Sequence, residues 1–224
     1  CPRPYGAYCL CPGSASSGQR SVRLTTNGQP MRGGDVIWED LNKDGEIDDT
    51  DRQILGNAQP KFYLGLGNII TYKSFSLSFN FYVNWGNKIY DEARRDTYVM
   101  SPTNITPQPY FIHNAWTQQG DVTDVHIARN KPQNLREVSS YFVEDGSYVR
   151  LRNVKLSYRL DPGIASKLHL KGLSAYVYGS NLLTWTNYKW YDPEINMGNP
   201  LQMGQDSGAY PRKREYGVGI NVNL

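Results

Sequence analysis

Residues 40–51 read Asp-Leu-Asn-Lys-Asp-Gly-Glu-Ile-Asp-Asp-Thr-Asp, the densest set of oxygen donors in the chain. Their spacing matches a calcium loop, with Asp40, Asn42 and Asp44 at positions 1, 3 and 5 and Gly45 at position 6. Glu46 supplies a backbone carbonyl at position 7, Asp48 stands at 9 and Asp51 at 12. Alternate carboxylates on a tight turn point inward, and calcium takes about six to eight oxygens. Gly45 permits the reversal, and Ile47 at position 8 is free to pack beneath the loop. Asp51 is one methylene shorter than the usual Glu, which predicts weaker or monodentate contact there. The competing reading is an acidic surface turn without an ion. A paired EF-hand does not fit, because Gly34 precedes the loop and Gly56 and Pro60 follow it, leaving no room for two full helices.

Other chemistry is sparse. Trp185, Tyr188, Trp190 and Tyr191 cluster in one polar stretch and are candidates for stacking on a ligand. Arg150, Arg152, Lys155 and Arg159 suggest an anionic groove, although a solvated or lumen-facing side of a strand accounts for them better. His113, His126 and His169 fit no zinc-protease pattern, and no phosphate-binding or nucleophile-elbow motif occurs. Gly65-Leu-Gly67 lacks the third glycine of a dinucleotide loop and lies inside a strand. No catalytic residues are assigned, and the chain is read as a non-enzyme. Cys1, Cys9 and Cys11 are an odd set confined to the first 11 residues and form no closed disulfide framework. A first-position Cys resembles the lipidated residue of a bacterial lipoprotein, but a chance residue at a truncated end is the plainer account.

The elements that position these residues are strands. Phe75, Leu77, Phe79, Phe81, Val83 and Trp85 form one face of an 11-residue run, and Ser76, Ser78, Asn80, Tyr82 and Asn84 the other. Before it, Phe62, Leu64, Leu66, Ile70 and Tyr72 share a phase that Asn68 interrupts, and only Lys73 and Ser74 separate the two runs, which makes a hairpin. Residues 86–146 carry Pro102, Pro107, Pro109 and Pro132 with no sustained period, and read as a long polar loop. Ser147–Leu160 is a third strand. Val149 and Leu151 run out of phase with Val154, Leu156, Tyr158 and Leu160, so a bulge is expected near Arg152-Asn153. A fourth strand spans Leu173–Thr184 with its phase open, a polar loop runs to Arg214, and Tyr216–Leu224 alternates to its end.

Short turns alternate with long loops, as in outer-membrane barrels. An 11-residue strand measures about 36 Å and, tilted about 45°, crosses about 25 Å, the height of their apolar band. A soluble β-sandwich is the competing architecture. The chain has 224 residues, 12% aromatics, 21 Gly and 13 Pro, a mix that favours strands and turns. Mean hydropathy is −0.60, and no apolar run reaches the length of a membrane helix. Net charge is +3, too small to argue for nucleic acid. Residues 1–32 are an irregular segment and residues 33–224 the β domain.

Four stretches resemble the C-terminal part of SusC/RagA-type TonB-dependent outer-membrane transporters of Bacteroidetes. They are residues 34–94 from Gly34-Asp-Val-Ile-Trp38, Ser147–Leu160, Tyr176–Glu194 and Tyr210–Leu224. The resemblance implies an all-β, antiparallel transmembrane barrel of about 22 strands, of which this chain carries the last five with their long extracellular loops. It implies import of glycan or peptide nutrients captured with a SusD-like surface lipoprotein. It also implies energy from TonB–ExbB–ExbD through an N-terminal part not in this chain, and outer-membrane lipid around the strands of a Gram-negative cell. Leu224 stands where the family usually has Phe, and Gln118 where it often has Pro.

The Phe75 face is then expected toward lipid and the Ser76 face toward the lumen. Counting strands back from the last one places the calcium loop outside. Five strands cannot close a barrel, so the chain alone is expected to aggregate without detergent. A second function class is a secreted calcium-dependent carbohydrate- or protein-binding module of dockerin or lectin type. It would use the 40–51 loop, with Trp185, Trp190 and Tyr191 stacking on sugar rings, but it lacks the second loop copy that a dockerin needs.

Overall fold

A computed structural model describes residues 25–26, 29–30, 34, 38–98, 109–118, 120–127, 139–195 and 202–223. The chain divides into two compact units, one of residues 1–55 and 91–143, the other of residues 56–90 and 144–224. The segment 1–24, with its three cysteines, lies outside the described residues, as do Gln119 and Leu224.

The second unit is an antiparallel sheet of five strands. We label them β1 (Phe62–Tyr72), β2 (Phe75–Trp85), β3 (Tyr148–Arg159), β4 (Gly172–Thr186) and β5 (Glu215–Asn223). The order is β5-β4-β3-β2-β1, so every neighbour in space is a neighbour along the chain, a meander. Lys73 takes φ +52° in the two-residue turn between β1 and β2, the positive φ that tight hairpins use.

Register decides the faces. Leu64 pairs with Val83, Leu66 with Phe81, and Ile70 with Leu77. Phe79 pairs with Val154, Phe81 with Leu151, Leu156 with Val177, and Val177 with Val218. One apolar face therefore runs across all five strands. Its residues are exposed, including Leu66 at 54% and Val177 at 50%, or half-buried along β2, as at Phe79 and Phe81. Asn68 lies on this face opposite Phe79, the one polar interruption in β1. Aromatics mark both ends of the face. Phe62, Trp85, Trp185 and Tyr216 lie toward the long loops, and Tyr72, Phe75 and Tyr158 toward the short turns. Phe75 and Tyr158 touch at 4.8 Å between ring centres. This is the banding of a transmembrane barrel wall, apolar in the middle with an aromatic girdle at each interface.

The expected bulge is present. The β2–β3 register slips between Asn80 and Phe81, and the β3–β4 register between Leu151 and Asn153. Against β2 the extra residue is Arg152, which returns Val149 and Leu151 to the apolar face and Arg150 to the polar one. Against β3 it is β4 that carries one more residue, Asn181 and Leu182 standing opposite Arg152. The open phase of β4 is settled by pairing. Leu173, Ala175, Val177, Leu183 and Trp185 share the apolar face, and Tyr176 and Tyr178 lie on the other. On the polar face Gly217 and Gly219 of β5 make room for those tyrosines. A Cβ there would stand 2.3 Å from the Tyr178 ring and 2.4 Å from the Tyr176 ring.

Two connections carry more structure than their sequences suggest. The 86–146 stretch, read as a loop, contains Lys88–Asp91, helix α1 (Glu92–Tyr98), helix α2 (Pro109–Asn114) and Val143–Asp145. These elements are too short to show a period and are closed by side-chain caps, such as the Arg94 N–H donating to Asp91 Oδ1 at 2.8 Å. The β3–β4 turn likewise holds α3 (Pro162–Lys167), capped by Asp161 with Pro162 in its first turn. Among the described residues no helix is long and apolar enough to cross a membrane.

Candidate functional site

The acidic loop belongs to the first unit. Lys43 and Gly45 have φ of +62° and +88°, so the chain reverses where the sequence places its glycine. Asp40 accepts from Lys43 N–H at 2.6 Å and from Gly45 N–H at 2.9 Å, and Asn42 Oδ1 accepts from Asp44 N–H at 3.0 Å. Asp44 Oδ1 accepts from Glu46 N–H and Asp48 Oδ1 from Thr50 N–H. Asp51 closes the loop, its two oxygens accepting from Leu41 N–H at 2.8 Å and Asp48 N–H at 2.9 Å. Those amides hold its carboxyl below the usual carboxylate range. Ile47 is buried at 2% exposure, and Glu46–Ile47 runs parallel to Thr25–Thr26.

The loop thus has the turn a calcium site needs, and a carboxylate offers about four acceptor sites, of which the amides take one per oxygen. The side chains cap amides rather than converge. Among the described residues no three His, Cys, Asp or Glu side chains gather as a metal cage.

The second constellation lies on the polar face of the sheet. Arg150, side chain 2% exposed, donates from Nη2 to Asp192 Oδ1 at 2.5 Å, from Nη1 to Glu194 Oε2 at 2.7 Å and from Nε to Thr184 Oγ1 at 3.0 Å. Glu194 Oε1 also receives Arg152 at 2.9 Å and Arg212 at 3.5 Å. Arg152 also lies over the Tyr82 ring at 3.9 Å, and one further cation, Lys155, lies over the Tyr176 ring at 4.0 Å.

The four aromatics proposed for ligand stacking are not brought together. Trp185 is on the apolar face, 6.3 Å from the Phe81 ring. Tyr188 is buried and donates its hydroxyl to Asp206 at 2.7 Å. Trp190 and Tyr191 meet edge-to-face at 4.9 Å, with Tyr191 70% exposed. The basic residues of β3 were legible as a polar strand face, but Asp192 and Glu194 as their partners were not. The only signal was two carboxylates one proline apart in a loop whose contact with β3 no local pattern encodes.

No family model matches the chain. It is 35% identical over 206 residues to TonB-dependent receptor P39 of Formosa agariphila, covering 90% of this chain and 20% of that protein. Over 200 residues it is 24% identical to TonB-dependent receptor SusC of Bacteroides thetaiotaomicron, covering 88% of this chain and 18% of SusC. Among solved structures it superposes on the RagAB peptide importer in the "closed-closed" state with a TM-score of 0.65 at 25% identity, over 77% of this chain and 18% of that one. The chain spans about a fifth of the length of the relatives it matches. An apolar girdled face, a polar face, short turns at one end, long loops at the other, and these likenesses agree: the chain belongs to the SusC/RagA-like TonB-dependent receptors, β-barrel proteins of the outer membrane.

Proposed function

We propose that the chain is wall and loop structure of a transporter that imports glycan or peptide fragments across the outer membrane together with a SusD-like lipoprotein, using energy from TonB–ExbB–ExbD. One observation carries this reading. The sheet presents an exposed apolar face between two aromatic girdles, and its opposite face holds Tyr, Arg, Lys, Ser and Asn, which suit a water-filled lumen. A soluble sandwich would cover that apolar face with a second sheet. The relatives named above are receptors and importers, which supports transport over catalysis.

Long loops face the exterior in this class of barrel. The chain passes from the acidic loop into β1 at the end where the long loops emerge, so that loop is assigned to the extracellular side. We assign calcium to it, held by Asp40, Asn42, Asp44, Asp48, Asp51 and the Glu46 carbonyl, once the carboxylates turn toward a shared ion. The Trp190–Tyr191 pair is the remaining aromatic candidate for ligand contact. The test is uptake of labelled oligosaccharide and labelled peptide pools by cells with the intact receptor. Uptake of one pool must fall when the receptor, its SusD-like lipoprotein or TonB is deleted. Uptake indifferent to TonB would refute the proposal.

A further inference from the structure

We propose that Arg150 is the positioning residue of the loop after β4, clamping the Asp192-Pro193-Glu194 turn so that Trp190 and Tyr191 hold one position relative to the polar wall. The proposal rests on reading that wall as the lumen. All three guanidinium nitrogens of Arg150 are directed: Nε to Thr184 of the neighbouring strand, Nη2 to Asp192 and Nη1 to Glu194. Such a fork fixes direction as well as distance, which a lysine ammonium cannot do.

The loop side is equally committed. Asp192 Oδ1 also accepts from Glu194 N–H at 2.8 Å, and Oδ2 accepts from Arg212 N–H at 2.8 Å. One carboxylate therefore ties the wall, the turn and a residue 20 positions further along the loop. Pro193 between the two acids is buried and its ring restricts φ, so both carboxylates are presented together. The neighbouring links at Tyr188–Asp206 and from Lys189 N–H to Glu144 Oε2 at 2.9 Å hold the approach to the turn. An exposed loop that needed only solubility would have no use for a fully buried arginine, whose burial is costly unless it is fully paired.

The experiment uses the intact receptor in lipid nanodiscs with Cys1, Cys9 and Cys11 changed to Ser. Spin labels at Lys189→Cys in the loop and Ser157→Cys in β3 report the loop-to-wall distance by pulsed EPR. Heat-modifiable migration on a gel reports barrel assembly. The wild-type network gives one narrow distance distribution. Arg150→Met broadens and shifts it in an assembled barrel, and Arg150→Lys does the same because one ammonium cannot hold both acids. A narrow, unshifted distribution in either variant overturns the proposal. If Arg150→Met does not assemble, Asp192→Asn with Glu194→Gln removes the clamp from the loop side and is read in the same way. Failure of that variant to assemble makes the network a folding element and overturns the positioning role. Lost transport with unchanged distances would leave the transporter reading standing and sink this one.

Discussion

Phe79 and Asn80 are consecutive residues at the centre of β2, the fifth and sixth of its 11, and they lie on opposite faces of the sheet. Arginine at each position tests which face meets lipid. One step along the strand is about 3 Å, so both sites are at nearly the same depth in the bilayer. Arginine on the lipid face at the midplane of an outer-membrane barrel costs about 2–4 kcal/mol, while lumen positions tolerate charge. Phe79 also loses its ring, which packs edge-on to Phe81 at 5.8 Å, so Phe79→Ala is measured to subtract that part. The expected difference between Phe79→Arg and Asn80→Arg, after subtraction, is about 30- to 700-fold in the folding equilibrium constant. The assay is reversible denaturant unfolding of the intact barrel in phospholipid vesicles, followed by tryptophan fluorescence. Equal costs would mean that neither face meets lipid. A larger cost at Asn80 would invert the assignment of the faces and refute the reasoning.

Gly219→Val places side-chain atoms where the Tyr176 ring already lies 2.4 Å from an added Cβ. It should cost about 1–3 kcal/mol, and Tyr176→Ala in the same chain should recover most of that in the same unfolding assay. Asp44→Ala should abolish calcium uptake by the 40–51 loop, measured by calorimetry of the intact receptor at millimolar calcium. No uptake by the wild type would dismiss the calcium assignment itself. Asp121 accepts from the Thr117 hydroxyl and from the Thr117 and Gln118 N–H groups, and these bonds hold its carboxyl below the ordinary value. Its folded pKa is below its unfolded one, so its contribution to local stability is complete above the unfolded value and is lost as pH falls through the folded one. Hydrogen exchange at the Thr117 amide should accelerate across that acidic window, relative to neighbouring amides, and Asp121→Asn should remove the dependence.

The local pattern determined the strands. In β2 every second side chain is apolar from Phe75 to Trp85, and the structure begins and ends the strand at those residues. A period of two needs no knowledge of the partner strand, because alternate side chains leave opposite faces of any pleated strand. The bulge at Arg152-Asn153 was legible for the same reason, since one extra residue shows as a broken phase. The acidic loop was legible through spacing alone, and Ile47 is buried beneath it as its position suggested.

Tertiary structure decided what depends on a neighbour. Leu173–Thr184 is apolar in both phases, and only pairing with β3 and β5 assigns Tyr176 and Tyr178 to the polar side. There Gly217 and Gly219, 39 and 43 residues further along the chain, leave room for their rings. Trp185 and Trp190 look alike in sequence, yet the last turn of the ladder puts Trp185 beside Phe81 on the apolar face, while Trp190 packs on Tyr191 in the loop. The Arg150 network joins residues 42 and 44 positions apart. Its energy comes from pairing charges whose burial alone would be costly, and these meet only after β3 and β4 have paired, so no window along the chain carries a sign of it.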